Sequence, residues 1–136
     1  MSKSNAFETD LLNYVFNKTA FSWDSITNLY LSLHTADPGE AGTQATNEAT
    51  YTSYSRVAVS RSGSGWAVSG DTASNLSLVQ FPQCTGGSST VTHVGIGIAA
   101  SGAGVLLYSG VLGSALTITN LITPQFSAGV LQVKED

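Results

Sequence analysis

The sequence predicts a mostly β protein, a jelly-roll-like antiparallel β-sandwich with one N-terminal α-helix. Three observations predict it. A single segment near the start carries helical periodicity. After it, roughly eight short segments alternate apolar and polar residues. Turn residues separate those segments every 8–12 residues or so, the spacing of sandwiches and barrels. An immunoglobulin-like sandwich is the alternative topology. No composition shift marks a boundary, so residues 1–136 are read as one domain.

The helix is placed over residues 5–18. Asn5 is a candidate cap and Glu8 follows three residues later, as in a capping box. Phe7, Leu11, Val15 and Lys18 keep a helical spacing, and Leu12 and Phe16 widen the apolar face. Asp10 lies early and Lys18 late, each on the side the helix dipole favours. A helix this short is marginal alone in water, so its stripe must cover the sheet or another subunit. Phe21, Trp23 and Ile26 follow as a plug for one end of the core. Leu29, Leu31 and Leu33 then alternate with Tyr30, Ser32 and His34, a half-buried strand.

Residues 35–50 carry no periodicity. Asp37-Pro38-Gly39 is a turn signal, and the rest favours an extended loop able to lie across a neighbouring molecule. From Tyr54 the pattern is β again. Val57 and Val59 face one way, with Arg56, Ala58 and Ser60 opposite. Gly63-Ser64-Gly65 turns the chain into Trp66 and Val68. Leu76, Leu78, Val79 and Phe81 read as a strand with a bulge or register change, ended by Pro82. Val94, Ile96 and Ile98 face the core, while Gly95 and Gly97 leave the other face bare for a backbone or a large aromatic. Val105, Leu107 and Ser109, then Leu116 and Ile118, the stretch near Phe126 and Val130–Val133 complete the strands.

Composition excludes several functions. Only 10% of residues are charged, against about 25% in a typical soluble domain. Packing against a partner therefore desolvates few ions, which suits life in an assembly. The net charge is −4 and the five cations are scattered, so nucleic acid is not an expected partner. No apolar run is long enough to span a membrane, and Met1-Ser2-Lys3-Ser4-Asn5 is not followed by a signal core. Cys84 is the one cysteine. It forms no internal disulfide and, without a nearby base, reads as a small buried hydrophobe.

No catalytic, cofactor or metal site is predicted. His34 and Asp37 are the nearest thing to an acid–base pair, but His34 reads as a strand-end residue bonded to backbone or to a loop carboxylate. With one Cys and two His, a structural zinc site lacks ligands. The GxG pairs have no following helix or lysine, and no G-x-S-x-G occurs. Arg56 and Arg61 read either as solvated strand-end charges or as bidentate partners for carboxylates of a neighbouring subunit. The candidate interface is accordingly Phe7, Leu11, Val15, Asp37, Glu40, Glu48, Arg56 and Arg61.

The run Leu29-Tyr30-Leu31-Ser32-Leu33-His34-Thr35-Ala36-Asp37-Pro38-Gly39-Glu40-Ala41-Gly42 resembles a family of small tailed-phage virion proteins. The resemblance continues through Asn47–Thr52, Tyr54–Val59, Val79–Pro82, Gly86-Gly87 and Thr90–Gly97, most of the chain. Members are often labelled tail-fibre-like, and some similar proteins look like capsid cement proteins with a jelly-roll-like fold. This chain is shorter than longer relatives between the helix and the Leu29 strand. The resemblance implies a virion component without catalytic residues. The expected role is a capsid cement protein made in the host cytoplasm. It would bind the major capsid protein on the outer capsid surface as a dimer or other small oligomer. The alternative is a tail or tail-fibre-associated protein, with Trp66, Tyr51, Tyr54 and Tyr108 as stacking rings for a glycan.

Overall fold

The computed structural model describes residues 1–136. The elements are β1 (Ser2–Lys3), α1 (Asn5–Asn17), β2 (Asn28–His34), β3 (Val57–Ser60), β4 (Trp66–Ser69), β5 (Thr72–Asn75), β6 (Val79–Gln80), β7 (Ser89–Gly97), β8 (Leu106–Ile118), β9 (Gln125–Phe126) and β10 (Gln132–Lys134). All strand pairs are antiparallel. The five-stranded sheet runs β1-β8-β7-β2-β3, a three-stranded sheet runs β10-β5-β4, and β6 pairs with β9. The predicted β-sandwich with one N-terminal helix is what the chain forms. Leu31, Leu33, Val91, Val94, Ile96 and Ile118 from the large sheet pack with Val79 and Val133 from the others, and with Phe81 and Leu131 beside them, to make the main core.

α1 begins one residue earlier than a cap at Asn5 requires. Ser4 is the N-cap, extended at φ −80° and ψ 156°, and its hydroxyl accepts from Phe7 N. The reason lies in the sheet. Lys3 is still paired with Tyr108, and Ser4 N donates to Leu107 O, so the chain must leave β-geometry at Ser4. A buried serine there satisfies an otherwise orphaned helical N–H. Lys18 is not in the last turn. It is the C-cap, left-handed at φ 53°, with its N–H on Asn13 O.

β2 is buried on both faces from Leu31 to His34 rather than on one. Leu31 and Leu33 face the main core. Ser32 and His34 are covered by the chain that follows. The 35–50 segment is therefore not extended across a neighbour. It folds back on β2, with Thr35 N on Asn47 O, Ala49 N on Leu33 O and Gln44 N on Gly104 O. Gly95 and Gly97 make room for this cover. They stand opposite Ser32 and Tyr30 in the ladder. A Cβ at Gly95 would meet His34 Nε2 at 2.7 Å and Ser32 Oγ at 2.8 Å, and one at Gly97 would run into the Gln44 side chain. Polar side chains occupy the bare face, not an aromatic.

The predicted strand through Leu76 and Leu78 is broken. β5 ends at Asn75, whose buried amide donates to Ser77 O and Ser127 O and accepts from Leu131 N. Leu76 and Leu78 turn outward and are exposed. Val79 restarts β-pairing in another sheet, against Phe126. In β8, the four residues 112–115 stand where β7 has only Thr92 between paired positions, a large irregular bulge.

Candidate functional site

The residues that carry the strongest side-chain chemistry meet under the 35–50 segment. Arg56, just before β3, is buried. Its Nε donates to Glu48 Oε1 at 2.7 Å and its Nη2 to Glu48 Oε2 at 2.8 Å, a bidentate pair. The same guanidinium reaches the carbonyls of Ala99 at 2.9 Å and Gly102 at 2.6 Å. Tyr54 donates its hydroxyl to Glu48 Oε1 at 2.8 Å and accepts from Leu33 N. Gln44, fully buried, closes the network by accepting from Ala99 N at 2.9 Å and donating to Ala99 O. Burial, with no opposing cation strong enough to offset it, pushes the Tyr54 phenol far above its ordinary value.

This geometry corrects both readings of the arginines. Both are held within the chain, Arg56 buried and Arg61 part-exposed. Arg56 is consumed by Glu48 inside the chain. Arg61 donates to Asp24 O at 2.7 Å and Ile26 O at 3.3 Å, pairs with the Asp24 carboxylate at 3.3 Å, and lies 5.1 Å from the centre of the Trp23 ring. Glu48 is thereby engaged within the chain, its side chain still 18% exposed. Asp37 accepts from Gly39 N, an Asx turn that organises its own loop. Glu40 is exposed, and its carbonyl accepts from Asn5 N beneath α1.

The two histidines become register partners on β2 and β7. His34 is fully buried, with Nδ1 on Thr46 O and Nε2 on Ser32 Oγ, both 2.8 Å. Burial pushes its imidazole below the ordinary value, against the opposing pull of the Thr46 carbonyl. Both ring nitrogens are thus occupied by structure. His93 bonds Thr92 Oγ1. No three His, Cys, Asp or Glu side chains converge on one point. Cys84 is fully buried, with its thiol on Gly86 O, the small buried hydrophobe expected of it.

The four aromatic residues singled out for stacking separate into two groups. Tyr51 and Tyr54 pack edge-to-face with each other, and Tyr54 stacks on buried Phe81. Tyr51 gives its hydroxyl to Pro82 O, and burial pushes it up to about 12. Trp66 and Tyr108 instead line one apolar cleft of about 310 Å³ between the two larger sheets, with Leu29, Val68, Ile96 and Leu107. Tyr108 is engaged there, its hydroxyl on Glu135, which Lys3 also holds at 2.7 Å.

The predicted helix stripe divides. Phe7 is buried against Trp23 and Leu107, and Leu11 is half-buried beside it. Val15 points outward, 62% exposed, with Leu12 at 59% and Phe16 at 78%. At about 100° per residue Leu12 and Phe16 sit across the helix from Phe7, while Val15 lies on the flank beyond Leu11. Tyr14 stacks on Phe21 with centroids 5.0 Å apart and is half exposed.

The sequence pointed to Arg56, Glu48 and His34 but not to Gln44, Ser32 or Tyr54 as their partners. The signal available was the Gly95/Gly97 pair, whose bare face needs a cover. The family described as podophage GP4 fiber I protein gp80 matches residues 2–134 of this chain. No curated protein matches it.

Proposed function

The chain belongs to the podophage GP4 fiber I protein gp80 family and is a phage structural protein; from that premise we propose that it is a fibre-associated subunit of the virion that acts by docking and not by catalysis. The observation that carries this reading is the family match over nearly the whole chain. The chemistry supports it. Arg56, Glu48, Tyr54 and His34 spend their polar atoms on the chain's own backbone and on each other, leaving no free acid–base pair. The surface also carries exposed apolar side chains: Leu12, Val15 and Phe16 on α1, and Leu76, Leu78, Val111, Leu121 and Val130 within residues 72–133, a tract without Asp, Glu, Lys or Arg. Uncharged surface docks with little desolvation cost.

Capsid cement on the outer shell, bound to the major capsid protein, is the second reading. The compact body without a stalk repeat or heptad run favours it. Quantifying the chain against the major shell protein in purified particles separates the two. A few copies confined to the tail are expected. Hundreds spread over the shell would replace the fibre role with the cement role, and none in the particle would end both.

A further inference from the structure

Besides glycines, Lys18, Asn47, Ser53 and Leu121 hold a left-handed backbone. Asparagine tolerates that geometry, and Lys18 uses it to cap α1. Leu121, at φ 73°, is the one apolar side chain among the four. Ile122 N donates to Thr119 O, so 119–122 is a β-turn with positive φ at its third residue alone. That is the type II form, which selects glycine or asparagine there. Asn120 stands one place too early to serve. A leucine at this position strains the backbone and gives the monomer core nothing. It is 71% exposed and belongs to neither apolar cluster. The geometry is enforced all the same. Leu121 N donates to Cys84 O, Cys84 N donates to Ile122 O, and Leu121 O accepts from Gln83 Nε2.

These bonds hold the turn against the segment 82–86. That segment is bonded on its other side to 51–53, through Thr52 N to Gly86 O, Thr85 N to Thr52 O, and the Tyr51 hydroxyl to Pro82 O. The three segments gather at the end of the sandwich where β7 begins and β8 ends, since Ser89 pairs with Ile118. None of them contains Asp, Glu, Lys, Arg or His. Thr52, Ser53, Gln83, Thr85, Thr119 and Asn120 are exposed there, and Leu121 is the one exposed apolar side chain beside them.

We propose that Leu121 is the anchor by which this end of the sandwich docks on a different protein of the virion, one that offers an apolar socket with an uncharged polar rim. The inference rests on the reading of the chain as a virion subunit. An apolar anchor flanked by hydrogen-bonding groups is the anatomy of a protein–protein hot spot. The three segments supply no cation for phosphate or nucleic acid and no exposed aromatic ring on which a sugar could stack. Two copies meeting here about a two-fold axis would set leucine against leucine, knob against knob, with no socket to fill. The strain then has a use. A side chain already held outward by a bonded turn loses little freedom on docking.

The test supplies the chain from a plasmid to a phage lacking its own copy and counts subunits in purified particles by mass spectrometry. Leu121→Asn suits the turn, so its melting temperature should rise by about 3 °C. Its copies per particle should fall about ten-fold or more. Leu121→Met keeps an apolar knob and should be incorporated nearly as well as the native chain. A Leu121→Asn chain that melts below the native one would overturn the proposal, because the leucine would then support the monomer. A dimer of the purified chain in sedimentation velocity that Leu121→Asn abolishes would overturn it too, by making a second copy the occupant. Native and Leu121→Asn chains present in particles at equal levels would overturn this inference alone. Native chain absent from particles would overturn the virion reading and this inference with it.

Discussion

Arg56→Ala would leave Glu48, whose side chain is 18% exposed, without its bidentate partner, and would free the carbonyls of Ala99 and Gly102. Breaking one side of a buried pair costs about 3–5 kcal/mol, mostly as the penalty of the orphaned charge. That is a large share of the roughly 5–15 kcal/mol that holds a domain together. Urea unfolding should show the midpoint fall by a matching amount, and Arg56→Lys should recover only part of it, since an ammonium lacks the planar fork. His34 gives the second expectation. Its imidazole is held below the ordinary value of 6.5 by burial, so the folded chain keeps it neutral while the unfolded chain takes up a proton first. Stability from this group is complete above about pH 6.5 and drains as pH falls toward the folded value, by at most about 1.4 kcal/mol per pH unit. Melting temperatures measured from pH 7 to 5 should decline in the native chain. In His34→Gln that segment should flatten; an unchanged slope would assign the loss to other groups. His34, Glu48 and Arg56 were visible in the sequence as unusual residues. Their mutual contact was not, because the residues joining them, Gln44 and Tyr54, carry no pattern of their own.

At the scale of elements, local periodicity placed α1 within a residue of its true limits, yet the cap went to Ser4 and not Asn5. Capping preference does not separate two adjacent polar residues. The tie was broken by β1, which keeps the chain paired up to Lys3. Ser4→Ala removes the hydroxyl that accepts from Phe7 N at 3.2 Å and should cost about 1 kcal/mol, read as a lower thermal midpoint, with Asn5→Ala close to neutral by comparison. The same logic explains β2. Alternation of leucines with polar residues marks a half-buried strand only if water covers the polar side. Here the 35–50 segment covers it instead, and Ser32 and His34 pay their desolvation through hydrogen bonds within that cover. The broken strand at 76–78 has a comparable origin. Apolar residues at period two look like one strand, but Asn75 draws the chain into a turn before it changes sheets.

At the scale of the whole molecule, charge is divided unevenly along the chain. Residues 72–133, which supply β5 to β9 and most of β10, hold no Asp, Glu, Lys or Arg, while α1 and the segments before β5 hold most of the ions. Lys3, Tyr108 and Glu135 join through one carboxylate beside β8. A body arranged in this way offers partners neutral surface rather than a charged groove. A few tail-borne copies per virion agree with the fibre family, and a shell coat with the cement alternative. No helix of the fold is long and apolar enough to cross a membrane.

The sequence by itself determined the class: one short helix, then short antiparallel strands punctuated by glycine turns. Those features depend on residues close together in the chain, where periodicity and turn chemistry act directly. It also carried the virion resemblance, which the family match supports at the level of a phage structural protein. Only the tertiary structure decided which polar residues face inward and which apolar ones face outward. Arg56 and Val15 look interchangeable as interface residues along the sequence. One is buried beside Glu48 and the other is exposed on α1, because burial is set by what packs opposite a residue, and that neighbour comes from far away in the chain.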